Sequence, residues 1–217
     1  MSAPSARRAF RPVPRVAVVV LAVVVVMSVA VTGCASEKPE KSAPPPAPTP
    51  IAGLNSAAMQ VPRIEFCASV PDKAVADALG GKPDSKAAYG NGDTEKLDGT
   101  GEDVLHEIGC SWSTDEGATA RAWVFARPVD APFAKRAVAS NRSTAGCRVV
   151  SGPAYGKPTV TQVCRRAGGE QRVRHAGLFG QTWLSCEVSA PSAQAAGIRG
   201  RADAWCVQVA NALNTAR

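Results

Sequence analysis

The sequence predicts an α+β fold, an antiparallel sheet flanked by helices, built as a single disulfide-bonded domain behind a signal peptide and a proline-rich tether. Three observations carry that prediction. Short segments of alternating apolar and polar residues recur from Glu107 to Ser189, stretches with helical spacing stand on either side of them, and six cysteines are spread through the same region.

The chain opens with Arg7, Arg8, Arg11 and Arg15, followed by an apolar run from Val16 to Val31. A charged segment before an apolar one is the pattern of an export signal. The run is shorter than the roughly 20 residues that a helix needs to cross the hydrocarbon core, so cleavage is expected rather than permanent insertion. Arg7-Arg8-Ala9-Phe10 is similar to the core of a twin-arginine signal. The strong apolar run and the lack of a cofactor motif favour the general secretory route, with the twin-arginine route as the alternative.

Val31-Thr32-Gly33-Cys34 resembles a bacterial lipobox, in which the cysteine receives a diacylglyceryl group. That resemblance implies a signal peptide over 1–33 and an anchor at Cys34. Two acyl chains, at roughly 0.8 kcal/mol per buried methylene, hold stably where one would be marginal. Residues 34–62 form the expected tether, with Pro39, Pro44, Pro45, Pro46, Pro48, Pro50 and Pro62 among Ala, Ser, Glu and Lys. In polyproline II geometry its span is on the order of 80 Å. The expected address is the outer face of the cell membrane.

Residues 63–217 are of a size typical of one domain. Losing 1–33, with four arginines and no acids, lowers the formal charge from +7 to +3. That is too mild a balance to point to nucleic acid. With Cys34 assigned to the anchor, Cys67, Cys110, Cys147, Cys164, Cys186 and Cys206 remain, an even number for an oxidising compartment and hence three bridges. No two form a C-x-x-C pair, which argues against a thioredoxin-like or zinc site. Of the fifteen possible connectivities, sequential pairing is expected, because each bridge then joins neighbouring elements across a modest loop.

Within the domain, Asp72 to Leu79 reads as a short helix, with Val75 and Leu79 on one face and Gly80-Gly81 ending it. Lys82 to Asp103 is polar and glycine-rich and is expected to be a long loop. Glu107 to Ser113 and Ala118 to Arg127 read as a hairpin turning at Asp115-Glu116-Gly117. A helix capped by Asp130 should run through Phe133 and Ala137 to about Asn141. Strands are expected at Cys147–Val150, Thr159–Arg165, Glu170–Ala176 and Thr182–Ser189. Ile198, Ala202, Trp205, Cys206, Val209 and Leu213 then fall on one side of a final helix.

Phe66-Cys67 before the first helix, Leu79-Gly80 at its end, Gly109-Cys110-Ser111-Trp112 in a strand and Trp205-Cys206 in the last helix together resemble a family of uncharacterised actinobacterial lipoproteins. The outline is also similar to extracellular sensor domains of actinobacterial receptor kinases. The resemblance implies a fold and an address and supplies no catalytic residue. No kinase accompanies the domain in this sequence, so signalling through a fused domain is not expected.

Hydrolase and nucleotide motifs such as G-x-S-x-G, H-E-x-x-H and the phosphate loop are absent from the sequence. His106 precedes Cys110 closely enough to suggest a metal or Cys-His site, but an oxidised Cys110 removes the partner. His175 is expected half-buried on a strand, with Val173 on its face and Arg172 and Arg174 on the other. Asn91, Asp93, Glu95 and Glu102 fit positions of a calcium loop, yet Lys96 stands where that loop requires glycine. Arg165, Arg166, Arg172 and Arg174 form the candidate binding residues, a basic face able to meet an anionic polymer, lipid headgroup or acidic partner. Trp112, Trp123, Trp183 and Trp205 are read as packing residues.

The expected function is a non-enzymatic binding or sensing module in the cell envelope, without cofactor or metal, whose envelope ligand or protein is not specified by the sequence. The alternatives are an accessory protein-interaction subunit and, third, an unrecognised hydrolase. A defined cleft favours the first, a flat apolar patch the second and converging polar groups with shifted pKa the third.

Overall fold

The computed structural model describes residues 49–97 and 101–216. The signal peptide, Cys34 and the tether up to residue 48 lie outside the described residues.

A seven-stranded sheet, antiparallel throughout, organises the domain. Its strands are β1 (Ser85–Tyr89), β4 (Glu107–Ser113), β5 (Thr119–Phe125), β6 (Cys147–Val150), β7 (Thr159–Arg165), β8 (Gln171–Phe179) and β9 (Thr182–Ala190), in the spatial order β1-β4-β5-β9-β8-β7-β6. A separate hairpin pairs β2 (Thr94–Leu97) with β3 (Gly101–Val104). The helices are α1 (Asp72–Leu79), α2 (Ala131–Arg142) and α3 (Ile198–Thr215). This is the α+β architecture that the alternating segments predict.

Alternation along each strand divides the sheet into two unlike faces. On the first, α3 packs against β8 and β9, and α1 packs against α3. Trp112, Val124, Leu184, Val188, Trp205, Val209 and Leu213 fill that core. Trp205 stands edge-on to Trp112 at 5.4 Å and donates its Nε1 hydrogen to the Arg121 carbonyl at 3.1 Å. Gly80 ends α1 in the left-handed conformation, at φ 78°, as glycine does most readily. The second face carries a smaller cluster of Val129, Ala134, Val160, Ala176, Leu178 and Trp183 under α2. Asp130 caps α2 by accepting from the Phe133 amide at 2.7 Å.

The sulfurs pair sequentially. Cys67–Cys110 ties the turn before α1 to β4, Cys147–Cys164 joins residues opposite each other in β6 and β7, and Cys186–Cys206 fastens β9 to α3. Bridges of this kind contribute roughly 2–4 kcal/mol each. Among the described residues no helix is long and apolar enough to cross a membrane.

Two expectations are corrected. Lys82 to Asp103 is not one loop: it contains β1 and the β2–β3 hairpin. β1 is an edge strand whose Ser85, Lys86, Ala87 and Ala88 are all exposed, so it shows no alternation to read. The domain also begins before Arg63. Ile51 and Val61 are buried in the main core, and the Val61 carbonyl accepts from the Thr182 hydroxyl at 2.5 Å. Proline content there marks an extended path, but the apolar side chains between the prolines find a core to enter.

Candidate functional site

α2 lies over β6, β7 and β8, and among the described residues no further helix covers the second sheet face. The strand register brings Tyr89, Glu107, Arg121, Trp123, Phe125, Arg174, Ser185 and Glu187 onto that uncovered part. These residues come from β1, β4, β5, β8 and β9, five segments spread over about 100 positions of sequence.

Glu187 is the electrostatic centre. It lies opposite Arg121 of β5 on one side and Arg174 of β8 on the other. Arg174 donates to it at 2.7 Å, while Arg172 approaches at 3.7 Å. Trp123 lies between two guanidinium groups, Arg174 at 4.9 Å and Arg121 at 5.5 Å from its ring centroid, which is cation–π range. Burial alone would lower the pKa of Arg121, but Glu187, Tyr89 and Glu107 around it outweigh that and raise it. For Arg172 burial wins and the pKa is lowered, with Glu187 opposing.

Tyr89 packs against Gly109 and donates its hydroxyl hydrogen to Glu107 at 3.3 Å. A Cβ at position 109 would fall 2.5 Å from the Tyr89 hydroxyl oxygen, so a side chain there would displace the tyrosine. Burial pushes the Glu107 carboxyl upward, against the effects of Tyr89, Arg121 and Arg174. It also raises Tyr89, with Glu107 adding to the shift.

Beside this charged strip runs a two-lobed groove. The larger lobe, a cavity of about 670 Å³, is lined by Leu105, Glu107, Phe125, Val129, Phe133 and Arg136, with His106, Arg127 and Asp130 also on its wall. The smaller, of about 380 Å³, runs along α2 past Ala137 and Asn141 to Trp123, Arg174 and Trp183. Phe125, Phe133 and Arg136 border both lobes. Phe133 is 42% exposed and Val104, at the outer rim, 45%. On the far side of Arg121 and Tyr89 lies a more polar hollow of about 830 Å³ that includes Asp93, Glu95, Ser111 and Thr119.

The candidate arginines do not form one basic face. Arg172 and Arg174 converge on Glu187, and Arg172 is almost wholly buried. Arg165 and Arg166 are exposed, and strand alternation sends Arg165 to the opposite side of β7 from Cys164, whose register partner is Arg172. Glu187 was the residue that a reading of β8 alone missed.

The calcium template falls on a hairpin: Glu95 pairs with Asp103 and Lys96 with Glu102 across β2 and β3, and the Asp93 side chain accepts from the Gly90 amide. Among the described residues there is no group of three His, Cys, Asp or Glu able to hold a metal ion. His106 lines the larger lobe and Cys110 is disulfide-bonded.

His175 is fully buried rather than half-buried. Its Nδ1 lies 3.0 Å from the Thr161 hydroxyl and its Nε2 2.8 Å from Asp203 Oδ1. The second contact is close but off the angle of a directed hydrogen bond. The trio has the residue types of a hydroxyl nucleophile, base and acid. With Thr161 and His175 both sealed from solvent no substrate reaches it, and it serves as an internal tie between the sheet and α3.

Arg121, Trp123 and Phe125 alternate with Ala120, Ala122 and Val124 along β5, whereas Arg174 comes from β8 and joins them only through the sheet register. Phe133 and Arg136 carried no such signal, because only the placement of α2 turns them toward the sheet. No protein-family model matches this chain, and no curated protein matches it.

Proposed function

We propose that the chain is a membrane-anchored, extracytoplasmic lipoprotein acting as a non-enzymatic binding or sensing module of the cell envelope, with the two-lobed groove as its ligand site. The resemblance of its cysteine and tryptophan pattern to actinobacterial lipoproteins supports this address, as do the lipobox at Cys34 and the three disulfides, which suit an oxidising compartment.

One observation carries the binding reading: a groove with apolar walls and uncommitted cations at its edge. Leu105, Phe125, Val129 and Phe133 supply the apolar walls. Cavities of some 300–1,000 Å³ are typical of small-molecule sites. Asp130 is engaged in capping α2, and Glu107 accepts from Tyr89. Among the described residues Arg127 and Arg136 make no ion pair, and Arg136 lies over the exposed face of Phe133 at 5.5 Å. The ligand class that suits such a groove is an amphipathic molecule with an apolar body and an anionic end.

Native mass spectrometry of the exported full-length protein tests this. The expected result is a small-molecule adduct that is lost on denaturation, and lost from the Phe133→Asp and Arg136→Gln variants while their folded charge-state distribution persists. A clean apo mass for the unsubstituted protein would overturn the ligand reading. Weight would then move to the accessory-subunit alternative, which the exposure of Phe133 and Val104 favours.

A further inference from the structure

We propose that Cys147–Cys164 is a thiol–disulfide exchange site, activated by Arg172 and open to low-molecular-weight thiols. Arg172 Nη2 lies 3.4 Å from Cys164 Sγ and 3.7 Å from Cys147 Sγ. A guanidinium in contact with both sulfurs favours the thiolate over the thiol, and thiolate is both the nucleophile and the leaving group of exchange.

Charge in the surroundings points the same way. Arg172 and Arg174 share the single carboxylate of Glu187, and the nearer partner is Arg174. Arg172 Nε is buried without a hydrogen-bond partner. Arg166 and Glu170, on the turn between β7 and β8, are the other charged groups acting on Arg172, and they oppose each other. The disulfide form thus leaves a buried cation incompletely matched, and a thiolate would complete the match.

Access distinguishes this bridge from the other two. Cys147 is part-exposed on β6, the last strand of the sheet, whereas Cys110, Cys186 and Cys206 are sealed in the main core and Cys67 is buried beside them. Among the described residues no cation makes hydrogen-bond contact with the sulfurs of those two bridges.

In the first step an external thiolate attacks Cys147 Sγ. The bond between the two cysteine sulfurs breaks, its electron pair leaves on Cys164 beside Arg172, and a mixed disulfide forms at Cys147. A second external thiolate attacks the outer sulfur of that mixed disulfide, releasing the oxidised small-molecule disulfide and Cys147 as thiolate. Two external thiols supply two electrons, and their two protons pass to solvent or to the cysteines.

Opening the bridge has a structural consequence at the groove. β6 follows α2 in the chain, and Gln162 of β7 donates its Nε2 hydrogens to the Asn141 carbonyl in α2 and, at 3.3 Å, to the Thr144 hydroxyl between α2 and β6. Asn141 and Ala137 wall the smaller lobe, so exchange at Cys147 loosens the wall of the groove. The exchange chemistry itself stands apart from the ligand reading.

The test is graded dithiothreitol on the oxidised full-length protein in native buffer, followed by alkylation and peptide mapping, with Cys34 scored separately. Cys147 and Cys164 should be alkylated at roughly tenfold lower reductant than the other four cysteines. In the reduced pair, the pH midpoint of alkylation should lie below the ordinary thiol value of about 8.5. Arg172→Met should raise that midpoint and Arg172→Lys restore most of the shift. Three bridges opening together, another bridge opening first, or an ordinary midpoint in the unsubstituted protein would overturn the proposal. The last readout decides it even where Arg172→Met fails to fold, and none of these outcomes depends on what the groove binds.

Discussion

Arg174 and Glu187 stand opposite each other across β8 and β9, joined at 2.7 Å, and the same guanidinium rests against Trp123. Glu187 thereby faces Arg172, Arg174 and Arg121 together, and its side chain is only 5% exposed. Removing one member of a buried charge cluster leaves the others uncompensated, which costs about 3–5 kcal/mol. Glu187→Ala should therefore lower the urea-unfolding free energy by about that amount, with Glu187→Gln falling between it and the unsubstituted protein because an acceptor remains. At the solvent-exposed Lys73–Asp77 pair on α1, Asp77→Ala should cost about 0.5 kcal/mol or less. Equal losses at the two sites would contradict the central role of Glu187.

A pH dependence follows from Glu107. Burial raises its carboxyl pKa in the folded protein above the unfolded value. A group raised on folding binds its proton more tightly in the native state, so its favourable contribution is full below the unfolded pKa and is lost as pH rises through the folded one. Glu107→Gln keeps an acceptor for the Tyr89 hydroxyl and removes the titration. The Tm difference between variant and unsubstituted protein should move in favour of the variant as pH rises from about 4 to 7, spanning the ordinary carboxylate range and above. A constant difference over that range would show that Glu107 is not strained by its burial.

α2 should be the most easily opened helix. Ala134 is its single fully buried residue, and Asp130 is its side-chain cap. Asp130→Ala should cost about 1 kcal/mol, the usual loss at such a position. Hydrogen exchange should accelerate over 131–142 while α3, with nine buried residues, keeps its protection. Uniform acceleration across both helices would show that α2 opens only with the whole domain.

Much of the fold was legible because burial imposes periodicity. β4, β5, β7, β8 and β9 each have at least one core-facing side, and α3 carries Trp205, Val209 and Leu213 on a helical stripe. β1 and the β2–β3 hairpin were not legible, since their described side chains are almost all exposed and turn chemistry dominates the segment. The cysteine pairing followed from short sequence separations, with β6–β7 and β9–α3 as consecutive or nearly consecutive elements. The candidate site was legible only as fragments. Arg172 and Arg174 were correctly placed on one side of β8, but their charge is answered by Glu187, and the Glu187 register depends on a β8–β9 turn at Gly180-Gln181. Phe133 and Arg136 become site residues through the docking of α2, a tertiary fact with no local signature.

The position of Ile51 and Val61 leads to a test of where the folded domain begins. Both are buried in the main core, the Gln60 amide donates to Asn214 Oδ1 at 3.2 Å near the end of α3, and Thr182 donates to the Val61 carbonyl. Full burial of an aliphatic side chain of this size contributes about 1.5–3 kcal/mol. Deleting residues 34–48 from a secreted chain should leave its unfolding midpoint unchanged. Deleting 34–62 should lower the unfolding free energy by about 3–5 kcal/mol, somewhat less than two full burials because the unfolded chain already hides part of that surface. The loss should also expose Thr182 and the neighbouring end of β9, read as faster amide exchange there. Equal stability of the two deletions would return 49–62 to the tether and place the domain boundary at Arg63.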